Sequence, residues 1–172
     1  MKRTMLWMVG LALVLGAGSL SAQKARIMVG GGLLMPMGNY KDLDKMGFMG
    51  QAGIGFPVGP VGIRIEGDYG QTSHKDTTSG NTKIIGGMAS VVYHFKSPST
   101  IKPYVLGGLG MYNVKFDISG VSASSTKLAF GGGAGLELKM TGASLYLEAR
   151  YVNITTSGSS LSFIPITVGV RF

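Results

Sequence analysis

The stretch "FIPITVGVRF", residues 163–172, places a large apolar side chain at every second position: Ile164, Ile166, Val168, Val170 and Phe172. Strict alternation over this length is the signature of a β-strand with one apolar face. A strand that runs into the end of the sequence on an aromatic residue, without a polar tail, needs a neighbour to pair with. A closed sheet supplies one, because its last strand pairs with its first.

Working outward, the same period of two recurs in eight runs, at about 24–37, 48–58, 61–72, 83–96, 103–118, 126–140, 144–155 and 160–172. No segment carries a helical period. The connections alternate. "PVGPVG", "SPSTIK" and "KMTGAS" are tight, whereas "GNYKDLDKMG", "YGQTSHKDTTSGNT", "SGVSASST" and "TTSGSS" are mostly longer and more polar. Short turns at one end and longer loops at the other describe an all-β, eight-stranded antiparallel up-and-down barrel, with strands long enough to cross a bilayer at a tilt of about 45°.

The faces decide between a soluble ligand-binding barrel and a membrane one. In "VGIRIEGDY" Val61, Ile63, Ile65 and Tyr69 alternate with Arg64, Glu66 and Asp68; in "LYLEARY" Leu145, Leu147, Ala149 and Tyr151 alternate with Tyr146, Glu148 and Arg150. Strand six separates Leu128, Phe130, Ala134, Leu136 and Leu138 from Lys127, Glu137 and Lys139. Aromatic residues form two belts on the apolar face: Phe56, Tyr93, Phe95, Tyr104 and Phe172 toward the short turns, and Phe48, Tyr69, Tyr112, Phe116, Phe130 and Tyr151 toward the long loops. Such rings favour the headgroup level of a bilayer, so the apolar face is read as lipid-facing and the charged face as luminal.

The first residues fit export. Lys2 and Arg3 precede an apolar run from Met5 to about Leu15 and a small-residue patch ending at Ala22. That layout predicts a signal peptide over residues 1–22, cut between Ala22 and Gln23 or a residue earlier, and a mature barrel domain over 23–172. A membrane-spanning helix would need about 20 apolar residues. The absence of cysteine excludes disulfides, thiolate chemistry and lipid-modified cysteine anchors. The net charge is +8, and about +6 without Lys2 and Arg3. The basic residues are scattered singly, often two positions from an acid, which argues against a nucleic-acid surface.

These features resemble the small eight-stranded outer-membrane barrels of Gram-negative bacteria, the broad OmpA/OmpX/opacity-like outer membrane protein beta-barrel domain family. The stretches that carry the resemblance are "VGGGLLMPMGNY", "KPYVLGGLGMY", "GGGAGLEL", "LYLEARY" and "PITVGVRF", and it covers the whole mature chain. It implies an outer-membrane location, contact with membrane lipid and lipopolysaccharide, and surface partners engaged through the loops. It also implies that Ile166, Val168, Val170 and Phe172 form the signal read by the outer-membrane assembly machinery. With Phe172 last, the peptidoglycan-binding module of some relatives is expected to be absent. A monomer without cofactor is expected.

Candidate chemistry is sparse. The glycine runs "GIGFPVG", "GLGM" and "GGGAG" lie within strands and do not open a helix, so they are read as relief of crowding in a narrow, curved wall rather than a nucleotide loop. His74, beside Ser73 and near Asp76, is read as a solvated loop residue, and His94 as an inward-pointing one. Asp42 and Asp44 lack the further oxygen ligands of a calcium loop. With two histidines no His-based metal cluster is visible. The inward charges are the most specific feature: Arg64 with Glu66, Lys115 with Asp117, Glu137 with Lys139, and Glu148 with Arg150 form opposite-charge pairs two apart. They are read as an interior network, together with Met28, Met49, Met88, Leu109, Met111, Tyr146 and Phe163 as lumen filling. The expected function is structural or surface-interacting with a plugged lumen. The alternatives are a small-solute or hydrophobic-compound channel, and an enzyme acting on outer-leaflet lipid, which would need a Ser, His and acid cluster at the outer rim.

Overall fold

The computed structural model describes residues 25–38, 40–41, 44–74, 80–118, 121–156 and 159–172; the predicted signal segment, 1–22, lies outside them. Alternation becomes eight strands: β1 (Arg26–Met37), β2 (Gly47–Val58), β3 (Val61–Ser73), β4 (Gly80–His94), β5 (Ile101–Ile118), β6 (Val121–Lys139), β7 (Ser144–Thr156) and β8 (Ser159–Arg171). Each pairs antiparallel with its sequence neighbours, and β1 pairs with β8, from Met28↔Arg171 to Met37↔Ser162, closing the barrel. The strand carrying "FIPITVGVRF" therefore has a partner on both edges.

The short turns follow their residues. Gly59 (φ 64°) and Gly142 (φ 82°) occupy the left-handed conformation that tight reversals need and that side chains resist. Between β4 and β5, the Ser97 and Ser99 hydroxyls accept bonds from the backbone N–H groups of Ser99 and Ile101, both at 3.2 Å.

At the opposite end the described residues of two expected loops prove to be strand. "SGVSASST" is already paired from Val121, opposite Ile118, and "TTSGSS" contributes Thr156 opposite Ser159. Ser and Thr read as turn residues singly, but a ladder continued from the wall below recruits them. At 18 and 19 residues β5 and β6 exceed the roughly 9–11 that a tilted strand needs to span a bilayer. Their paired ribbon thus continues past the last β6–β7 pair, Ala129↔Ile154, with β4 alongside β5 to Gly80↔Ile118.

The outside of the barrel is a band of exposed large apolar residues, including Ile65, Leu128, Leu147 and Val168, far larger than a water-facing surface carries. Phe48, Tyr69, Tyr93, Phe95, Phe130, Tyr151 and Phe172 are also exposed on it. The aromatic belts need correction on β5. Tyr104 and Tyr112 are buried in the lumen, while Leu109 and Met111, expected inside, face outward at 71% and 58% exposure. Both faces of β5 are mostly apolar or glycine, so its pattern leaves the parity open, and the phenol hydroxyls choose the side that holds carboxylates. Lys115 follows the same parity to the outside; the side chains of Phe116 and Asp117 lie outside the described residues.

Candidate functional site

The lumen is the candidate site, because there the wall commits charge to a space without lipid. β3 and β7 stand on opposite sides of the barrel, and their inward residues meet across it. Arg64 donates to both oxygens of Glu148, at 2.7 and 2.9 Å, and its Nε lies 3.1 Å from Glu66 Oε2. Arg150 bonds Glu66, lies 3.2 Å from Glu148 through Nε, and donates to Gln51 Oε1 at 2.6 Å and Asp68 Oδ1 at 3.4 Å. Arg64, Glu66, Arg150 and Glu148 form a closed ring of alternating charge, each member 1–3% exposed. Charges taken out of water need partners of this quality, because desolvation otherwise exceeds attraction. Two-pronged guanidinium–carboxylate bonding suits the task.

The tyrosines complete the layer. Tyr104 donates to Glu148 Oε2 at 2.7 Å, Tyr112 to Asp68 Oδ2, and Gln51 Nε2 donates to the Tyr146 hydroxyl at 2.8 Å. Arg171 lies 4.7 Å from the ring centres of both Tyr104 and Tyr146 and donates to the Tyr104 hydroxyl at 3.0 Å. Rings of this size fit a narrow barrel only where the wall is bare. Gly30 and Gly169 face one another across β1 and β8, and a Cβ on either would collide with the Tyr146 ring. A Cβ on Gly86 would likewise strike Tyr112.

Toward the long loops the lumen turns apolar. Leu34, Met49, Ile84, Met88, Val114, Ala129, Val152, Ile154 and Phe163 pack into one buried cluster, with Tyr112 against Phe163 edge-on at 6.2 Å. The β1–β2 connection caps it. Tyr40 is buried, its hydroxyl 2.6 Å from Thr72 Oγ1, and Thr72 donates to the buried Asp44 at 2.5 Å. Burial pushes the Tyr40 phenol up, which keeps it a neutral hydrogen-bonding group.

His74 is not a freely solvated loop residue. Its Nε2 lies 3.1 Å from Thr82 Oγ1 and 3.4 Å from Asp44 Oδ1, in a backbone bridge to Asp44. One nitrogen serves both contacts, so the ring cannot relay a proton from hydroxyl to carboxylate. Asp42 and Asp76 lie outside the described residues, among which no group of three His, Cys, Asp or Glu is placed to hold a metal ion.

At the short-turn end the expected Glu137–Lys139 pair gives way to a different one. Lys139 is exposed at the rim, and Glu137 instead faces Arg26 at 3.2 Å, His94 at 3.3 Å and Arg171 at 2.7 Å. Residues two apart on a strand project side by side, while the lumen offers partners straight across. Arg171 was legible from the opening stretch itself: it alternates with Val170 and so faces inward. Gln51 carried no charge to flag it. On β8, Ile166, Val168 and Phe172 are exposed on the outer face and Val170 is half-buried.

Comparison with known proteins follows this geometry. The model of a family described as "Outer membrane protein beta-barrel domain" matches residues 10–172. No curated protein matches the chain. Among solved structures, Neisserial surface protein A is 20% identical, with 86% of this chain and 95% of that one covered and a TM-score of 0.67. A major outer membrane protein from Thermus thermophilus is 14% identical, covering 86% and 98%, at a TM-score of 0.64. Ail, the attachment invasion locus protein of Yersinia pestis, solved with the heparin analogue sucrose octasulfate, is 22% identical, covering 86% and 97%, at 0.51.

Proposed function

The chain belongs to the outer membrane protein beta-barrel domain family and resides in the outer membrane of Gram-negative bacteria, and from that premise we propose that it is a non-catalytic barrel with a plugged lumen that works as a structural or surface-interaction protein. One observation carries this reading: the charged ring between β3 and β7 and the apolar cluster beside it fill successive levels of the same narrow lumen. Eight strands enclose a space that side chains can just fill. The His74 contacts converge on one nitrogen, so His74, Thr82 and Asp44 do not form a hydroxyl–imidazole–carboxylate relay.

Short turns face the periplasm and longer loops the outside in barrels of this kind. Partners are therefore met at the end bearing the β5–β6 ribbon and the capped β1–β2 connection; Ail, a barrel of similar fold, is solved in complex with the heparin analogue sucrose octasulfate. Residues 1–22 direct export, with cleavage between Ala22 and Gln23 or a residue earlier, and the outward row Ile166, Val168, Val170 and Phe172 engages the assembly machinery before the monomer settles among lipid and lipopolysaccharide. Purified protein in a planar lipid bilayer is expected to give no reproducible conductance. Well-defined single-channel steps that change with Glu148 or Arg150 would overturn the plugged reading in favour of a channel.

A further inference from the structure

The mouth at the short-turn end carries more positive charge than its own residues neutralise. Arg26, Lys102, Lys139 and Arg171 share the inward parity of their strands there, with Lys102 opposite Glu137 and Lys139 opposite Ser144. Crediting Arg171 partly to Glu148, 3.8 Å away, still leaves Arg26, Lys102 and Lys139 around Glu137, their one acidic side-chain neighbour among the described residues. Lys139 has two cations, Lys102 and Arg26, among its electrostatic neighbours against the one carboxylate of Glu137, so like charges are gathered where a sheet ordinarily separates them. His94 spends its ring on the same carboxylate, at 3.3 Å.

Space accompanies the charge. A cavity of about 270 Å³ is bounded by Arg26, Lys139, Ser144, Arg171 and Phe172, many times the roughly 10–15 Å³ that one water requires. Arg26 and Arg171 also line a smaller recess of about 50 Å³ leading inward past Met28, Val92 and His94.

We propose that this mouth is a binding site for a phosphate-type oxyanion presented from the periplasmic side. The guanidinium of Arg26 gives a planar fork for two oxygens, and Lys139 adds a mobile point charge from the facing wall, with Lys102 beside it but outside the cavity lining. Glu137 lies on the inner side of the cluster, so it holds the cations in place and repels an anion from the charged ring beyond. An oxyanion in the larger cavity meets Arg26 and Lys139 directly and offsets the repulsion that Lys102 adds to Lys139, which is the source of its affinity. The periplasmic assignment rests on the family reading of the short turns; the site itself does not.

The test uses the full mature barrel refolded in maltoside, a detergent without phosphate, at low ionic strength so that charge is not screened. Calorimetric titration of inorganic phosphate, against chloride at matched ionic strength, is expected to show saturable binding. Lys102→Gln with Lys139→Gln is expected to weaken it by about tenfold or more, as loss of charged hydrogen-bond donors does. Lys115→Gln, outside and at the other end, should leave it unchanged. Heat-modifiable migration on a gel verifies folding; should the double variant fail it, Lys139→Gln at the exposed rim carries the test alone. A second arm replaces inorganic phosphate with phosphatidylglycerol in the micelles, and lysine-dependent binding confined to that arm identifies a lipid headgroup as the source. Absence of saturable binding in both arms, or equal binding by wild type and the lysine variants, overturns the proposal. Neither outcome bears on conductance, so the plugged-lumen reading stands or falls separately.

Discussion

Arg150 and Phe163 are equally hidden from solvent, 2% and 0% exposed, in neighbouring levels of one lumen, yet they are held by unlike forces. Arg150 answers to Glu66, Asp68, Glu148 and Gln51, each with a required direction and distance. Phe163 sits among Leu34, Met49, Val152 and their neighbours, where shape matters and direction does not. The first region is all-or-none, because removing one partner strands another charge. The second is graded, because each lost methylene costs its own share of transfer and packing energy. Toward the short turns the structure fixes geometry; toward the long loops it fills volume.

The sharpest way to break this contrast is Arg150→Ala. It uncovers three carboxylates and is expected to cost about 3–5 kcal/mol in reversible unfolding from lipid. A loss near that of a surface change would mean that water reaches the ring. The wall gives the next step down: Ile65→Arg or Leu147→Arg, on the exposed apolar face, should cost about 2–4 kcal/mol near the midplane, and no loss would reverse the assignment of faces. In the apolar cluster Met88→Leu conserves volume and should cost under about 1.5 kcal/mol, with m unchanged in the same titration. Smallest is His74→Ala, expected below about 1 kcal/mol because its contacts lie at the partly exposed rim. A larger effect there would place the cap, rather than the ring, in control of stability.

The same contrast explains what the sequence discloses. The barrel was legible because alternation is a property of each strand taken alone, and Arg64, Glu66, Glu148 and Arg150 announced themselves as charges on an otherwise apolar plan. β5 was misread because neither of its faces is polar, so an interfacial preference was assigned to Tyr104 and Tyr112 when buried carboxylates claim their hydroxyls. Glu137 was given Lys139 because nearness along the chain is visible in a sequence and nearness across a lumen is not; Arg26 and Arg171 lie 111 and 34 residues away. The Ser and Thr run after Ile118 looked like a loop because its pairing is set by the strands beneath it.

The bare patch formed by Gly30 and Gly169 has a consequence for how the seam is joined. Antiparallel strands can slide by two residues and keep their faces, and β1 against β8 is where the sheet becomes a tube. Sliding one way would bring Met28 beneath the Tyr146 ring, where there is no room; sliding the other would draw Leu34 out of the apolar cluster, to where Gly32 now passes against the Ile166 carbonyl. The tyrosine thus acts as a stop against slip in one direction, and the close pass of Gly32 by Ile166 as a stop in the other, so the seam is keyed to one setting.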